Sequence, residues 1–270
     1  MTITNIITLL GAGLGVGFAS GLLGVGGSFI MTPVQYMVFT SMGLPLDIAI
    51  RLSFGTTLAV ILPTAASGTW RHHKEGAIWW RAALIMGGCG LASAFGGATL
   101  ASHLPGATLK IVFGAVVLGA GVRMLTFKPP KASIEPKTIP WLWAVWGAIT
   151  GLVSGLIGIG GGMLAVPVMV LLLNFSMHNA VATSLAMVMI TSIGGILGYI
   201  VNGLGTPGLP AHALGYVHLE SWALLASASI GMAQLGARTA HRLPARPLRY
   251  VFVGVLFYMG LRMLGVFGQS

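Results

Sequence analysis

Ten apolar runs follow one another along this chain, and none holds more than two charged residues. They lie at roughly 5–22, 27–40, 46–70, 77–102, 107–126, 141–157, 162–174, 179–201, 220–240 and 247–267. A helix needs about 20 residues to cross a ~30 Å hydrocarbon core, and most of the runs are that long. Charged residues make up only 7% of the sequence, where a soluble domain carries about 25%. A soluble, intrinsically disordered or disulfide-stapled chain is thereby excluded. Alternating, strand-like runs are absent, which argues against a barrel. The expected fold class is an all-α polytopic membrane protein.

Two runs are too short to cross. Segments 27–40 and 162–174 rise only about 20 Å each at 1.5 Å per residue. They occupy corresponding places in two halves that the sequence itself relates. Ser20-Gly21-Leu22-Leu23-Gly24-Val25-Gly26-Gly27-Ser28, ending at Pro33, matches Ser154-Gly155-Leu156-Ile157-Gly158-Ile159-Gly160-Gly161-Gly162, ending at Pro167. Gly55-Thr56-Thr57-Leu58-Ala59 matches Ala182-Thr183-Ser184-Leu185-Ala186. Gly97-Ala98 with Leu104-Pro105 matches Gly236-Ala237 with Leu243-Pro244, and Gly121-Val122-Arg123-Met124-Leu125 matches Gly260-Leu261-Arg262-Met263-Leu264. Four blocks in one order indicate a tandem duplication of a five-segment unit. The repeats are 1–126 and 141–270, each with a short or re-entrant helix after a glycine-rich turn. Residues 127–140, rich in proline and lysine, form the linker.

The net charge of +10 does not point to nucleic acid, because the basic residues lie between the apolar runs or singly within them, and the clusters between runs are what membrane topology predicts. Arg71 and Lys74 follow segment 3, and Lys128, Lys131 and Lys137 follow segment 5. In the second half the loop after segment 8 has no Lys or Arg, while Arg242 and Arg246 follow segment 9. Basic loops thus fall at non-equivalent places in the two repeats. With basic loops cytoplasmic, the repeats are inverted relative to each other, and both termini lie outside. The first run lacks a basic leader and an A-x-A-like site, so no cleaved signal peptide is expected.

Inverted repeats with paired short segments point to a secondary transporter whose site lies near the midplane. The candidate site is the pair of turns Gly26-Gly27-Ser28 and Gly160-Gly161-Gly162. Each precedes a short helix, whose unpaired N–H groups and positive dipole end attract an anion. Glycine lets the backbone approach a ligand closely. Thr56, Thr57, Thr183 and Ser184, at matched positions in segments 3 and 8, add hydroxyls that can donate to an oxyanion or bond back to their own helix. Arg51 can contact an anion or pair with Asp47 four residues earlier.

Other features take blander readings. The stripes Gly13, Gly17, Gly21 and Gly147, Gly151, Gly155 read as helix-packing faces. Trp70-Arg71-His72-His73-Lys74 reads as an interfacial flank. No cluster has metal-ligand spacing, and no cofactor is expected. Asp47, Glu75, Glu135 and Glu220 all lie in loops or near helix ends, so no mid-membrane carboxylate relay is visible. An intramembrane serine protease is disfavoured. Ser20 and Ser154 precede glycine, but residues 18 and 152 are Phe and Leu, and no histidine has an evident place to activate either serine.

These residues resemble the sulfite exporter TauE/SafE family over nearly the whole chain. The resemblance rests on the two Ser-Gly-Leu-Leu/Ile-Gly-x-Gly-Gly blocks with their prolines. It also rests on Gly55-Thr56-Thr57-Leu58, Ala182-Thr183-Ser184-Leu185, and the run from Gly97 to Pro105. It implies a plasma-membrane protein of a bacterium or archaeon that moves a small anion, often outward. Sulfite, or an organosulfonate such as sulfoacetate, is the expected substrate, and membrane lipid is expected as a partner. A channel on the same scaffold, or a carrier of another small solute, is the alternative. The cysteine-based thiosulfate site of a related branch does not fit, since Cys89 lies in neither turn.

Overall fold

A computed structural model describes residues 2–23, 26–126, 136, 138–239, 253–254 and 257–266. It contains α1 (Ile3–Leu23), α2 (Ser28–Ser41), α3 (Leu46–Lys74), α4 (Trp80–His103), α5 (Gly106–Thr126), α6 (Pro140–Ile157), α7 (Gly162–Leu171) and α8 (Met177–Gly203). A small hairpin follows, β1 (Ala213–Leu214) and β2 (Val217–His218), then α9 (Leu219–Thr239). Residues 257–263 are helical as well. Each apolar run is therefore helical over most of its described length. Gly24, Val25, Met124's side chain, most of the linker with Lys128, Lys131 and Lys137, and the loop with Arg242 and Arg246 lie outside the described residues.

Among the described residues six helices are long and apolar enough to cross a membrane: α1, α3, α4, α5, α6 and α8. α2 has 14 residues and α7 has 10, so they rise only about 21 and 15 Å. The core is largely hydrophobic, but the outer face is apolar too, and several polar side chains are fully buried. Leu14, Leu100, Ile111, Ile149 and Leu197 face outward, whereas Ser20, Gln35, Thr56, Thr57, Ser154 and Thr183 have no exposed surface. Leaving large aliphatics outside and hydroxyls inside is favourable when the surrounding solvent is lipid.

The packing explains the glycine stripes. α1 runs along α9, and α6 runs along α4. A Cβ on Gly13, Gly17 or Gly21 would run into α9 at Leu225, Ser229 or Ala233. One on Gly147, Gly151 or Gly155 would run into α4 at Met86, Gly90 or Ala94. Small residues at every fourth position thus bring each helix pair to backbone contact. α3 packs against α8 and α9, and α8 packs against α3 and α4, so α3 and α8 form the centre.

Three local features differ from the sequence reading. The stretch after segment 8, read only as a loop, contains the hairpin. Tyr216 N–H donates to the Tyr199 carbonyl at 3.1 Å, and the Tyr216 carbonyl lies where a Cβ on Gly55 would be. Segment 7 stops at Leu171, because Asn174 turns the chain at φ 59°. Asp47 and Arg51 share α3 but do not pair. Asp47 Oδ1 accepts from Gly106 N–H at the start of α5, and Arg51 Nη2 donates to the Leu104 carbonyl at 2.9 Å. Both side chains therefore fasten the α4–α5 turn to the first turns of α3.

Candidate functional site

The two glycine turns meet. Ser28 Oγ, at the start of α2, donates to the Ile159 carbonyl in the other turn at 2.6 Å. Gly26 and Gly27 have φ 77° and 68°, and Gly160 and Gly161 have φ 75° and 80°. A residue with a Cβ pays about 1–2 kcal/mol in that left-handed region, which is why glycine recurs there. Both turns also rest on the same two side chains. A Cβ on Gly26 would sit 3.6 Å from Ile61 Cγ2 and 3.7 Å from Val188 Cγ1; one on Gly160 would sit 3.0 Å from Ile61 Cδ1 and 3.2 Å from Val188 Cγ1. Counted on from the Thr56-Thr57 and Thr183-Ser184 blocks, Ile61 of α3 and Val188 of α8 are counterparts.

Each turn starts a short helix that no side chain caps, with Gly27 and Gly161 as N-caps. Gly26, Gly27, Ser28, Gly160, Gly161 and Gly162 are all buried. Two buried helix starts therefore sit together, each presenting the positive end of its dipole. The structure brings these six candidates into one place.

The other candidates are held by the protein. Thr56 Oγ1 accepts from the His218 backbone N–H at 2.9 Å, just before α9. Thr183 Oγ1 accepts from the Trp79 N–H at 3.0 Å, just before α4. Each threonine fastens a central helix to the helix that follows. Thr57 Oγ1 accepts from Gln35 Nε2 at 3.0 Å and Thr32 Oγ1 at 3.2 Å, both on α2. Ser184 Oγ donates to the Val181 carbonyl at 3.0 Å. Arg51, besides its bond to Leu104, reaches the Tyr216 hydroxyl at 3.5 Å. A Thr183→Val variant keeps the shape but leaves the Trp79 N–H without its acceptor. It should lose about 1–2 kcal/mol of stability, visible as a lower melting temperature in detergent. A Thr183→Val protein as stable as wild type contradicts the fastening role.

Several residues escaped the sequence reading. Tyr199 on α8 donates its hydroxyl to the Gly155 carbonyl at 2.9 Å, and His72 on α3 bonds the Gly21 carbonyl through Nε2 at 3.3 Å. Gly21 and Gly155 are matched positions, so one contact recurs in each half with a different donor. His72 is thus buried in helix packing, whereas its neighbours are interfacial. Trp70 is exposed beneath Lys74 Nζ at 5.0 Å, and Arg71 pairs with Glu75 at 2.7 Å. Lys110 is buried on α5 with its Nζ 5.2 Å from the Tyr36 ring. In the 204–218 loop, burial pushes the His218 imidazole below the ordinary histidine range, with Glu220 opposing.

Six long apolar helices among the described residues, an apolar exterior and buried hydroxyls define a multi-pass membrane protein. A sequence model of the sulfite exporter TauE/SafE family matches residues 9–263, and the chain belongs to that family. It is 28% identical to a probable membrane transporter protein of Haemophilus influenzae, over 96% of this chain and 98% of that one. It is 30% identical to one of Methanocaldococcus jannaschii, over 95% and 94%. A third, from Xylella fastidiosa, is 32% identical over 68% of this chain and 70% of its own. No solved structure matches the chain.

Proposed function

We propose that the protein is a secondary transporter that exports a small oxyanion, sulfite or an organosulfonate such as sulfoacetate, by alternating access. The observation that carries this reading is the meeting of the two glycine turns. Each is the uncapped start of a short helix, and both are buried against Ile61 and Val188. Buried helix N-termini favour an anion, because their N–H groups supply hydrogen bonds and the dipoles supply partial charge. The bond from Ser28 to Ile159 describes a closed site, and the turns part to admit the anion.

A two-repeat architecture has support from contacts that recur at matched positions, and the placement of the basic loops supports its inversion. α1 on α9 parallels α6 on α4, Thr56 with His218 parallels Thr183 with Trp79, and His72 with Gly21 parallels Tyr199 with Gly155. Basic loops on the cytoplasmic side put both termini outside. Outward movement of one negative charge across an inside-negative membrane gains about 2.3 kcal/mol per 100 mV, so export needs no carboxylate relay.

The test is flux of radiolabelled sulfite and sulfoacetate in proteoliposomes, with and without an imposed potential. Saturable flux that accelerates when the anion's compartment is made negative is the expected result. Absence of flux for both anions, in protein shown to be folded, overturns the oxyanion reading.

A further inference from the structure

Two hydroxyls in the duplicated glycine blocks have no work in the fold. Ser20 of α1 and Ser154 of α6 hold matched positions, both are fully buried, and neither Oγ has a hydrogen-bond partner among the described residues. Buried hydroxyls without partners are uncommon, because losing water's hydrogen bonds is costly when nothing replaces them. Other buried hydroxyls here bond a nearby carbonyl of their own helix, as Ser53 does to Ala49, Thr64 to Val60 and Thr150 to Gly147. Thr69 and Thr191 also leave a buried hydroxyl without a partner, but Ser20 and Ser154 are the pair that holds matched positions in the two glycine blocks.

Ser154 lies at a helix start, and Ser20 holds the matched place in the other half. A Cβ on Gly161, the N-cap of α7, would lie 3.5 Å from Ser154 Cβ and 3.3 Å from the Thr150 carbonyl. Ser154 thus stands directly beside the uncapped start of α7. In the first half the N-cap Gly27 rests on Val16, the counterpart of Thr150. Ser20 is one helical turn beyond Val16 on the same face of α1. The groups nearest the four turn glycines are those of Val16, Ile61, Thr150, Ser154, Met187 and Val188, and none is charged.

We infer that the Ser20 and Ser154 hydroxyls are hydrogen-bond donors to the transported anion, one from each repeat, and that together they select a head group with several oxygens on one centre. An SO₃ group has three, each able to accept more than one hydrogen bond, so two donors and two helix starts can share them. A halide has one centre and no spread, and it gains less from the pair. This inference rests on the proposed small-anion site at the glycine turns. It adds the residues that tell a sulfonate or sulfite head from a simple anion.

Ser20→Ala, Ser154→Ala and the double variant test it, with initial rates of labelled sulfite and sulfoacetate uptake in proteoliposomes. Melting temperature is measured with and without each anion, and chloride serves as a competitor. Each single variant should raise KM about tenfold, the loss of one hydrogen bond to a charged group. Maximal rate should stay within about twofold, and chloride should compete better than it does on wild type. Melting temperature without anion should hold or rise, since the variants delete a group that has no partner, while the anion-induced rise shrinks. Unchanged KM and anion-induced shift in a transporting protein overturn the serine assignment and leave the glycine-turn site intact. A lower melting temperature without anion, at unchanged KM, makes the serines structural and overturns it too. A wild-type protein that binds and transports neither anion removes the site itself, and the serine assignment with it.

Discussion

Replacing Gly161 with alanine should leave a folded, inserted protein that transports at no more than about a tenth of the wild-type rate. Alanine is the informative substitution because its single methyl fits. At Gly161 it would meet the Thr150 carbonyl at 3.3 Å and Met187 Cε and Ser154 Cβ at 3.5 Å, close contacts that a small shift relieves. The φ of 80° costs about 1–2 kcal/mol for any residue with a Cβ, which a well-packed bundle withstands. The methyl occupies the space in front of the first N–H groups of α7, where an anion must come to use them. The matching substitution at Gly27 is less clean, since its Cβ would lie 2.8 Å from the Val16 carbonyl and would disturb α1. Rate per unit of folded, reconstituted protein is the measurement. Wild-type flux through Gly161→Ala contradicts the placement of the site at that turn.

Replacing Gly155 with leucine should do the opposite and abolish the fold. Its Cβ position overlaps the carbonyl of Ala94, so α6 and α4 cannot keep their contact. Relief requires moving two spanning helices apart along their length, and overpacking against rigid backbone costs about 3 kcal/mol or more. Yield after detergent extraction should collapse, and any protein recovered should melt well below wild type. Gly15→Leu is the control, because nothing lies within 4 Å of its Cβ position on the open face of α1. It should behave as wild type, the added side chain lying against lipid. A Gly155→Leu protein as stable as Gly15→Leu contradicts the packing role of the glycine stripes.

The helices were legible in the sequence because one physical term dominates them. A chain with few charges has nowhere to put its apolar runs but lipid, and a run's length states whether it can cross. The duplicated blocks made the twin turns legible for a different reason. Gly26, Gly27, Gly160 and Gly161 need a left-handed backbone that other residues resist, so the pattern marks the conformation. The hydroxyls were harder. Thr56 and Thr183 match between halves, but the match could not say whether they face a ligand or the backbone N–H of His218 and Trp79, which lie far away in sequence. Arg51 and Asp47 misled through proximity, since four-residue spacing permits a pair but cannot weigh it against the open turn at Leu104–Gly106. Ser20 and Ser154 belong to the duplicated blocks. Only their burial without partners, a property of packing, separates them from ordinary helix serines.

A carrier with one oxyanion site between two parting turns has a signature that a pore lacks. Proteoliposomes preloaded with unlabelled sulfoacetate should take up labelled sulfoacetate faster than empty ones, with saturation on both sides. Gly161→Ala should lose that exchange. Counterflow is the result the account predicts. Flux that rises linearly with concentration and ignores the preload contradicts alternating access at the glycine turns.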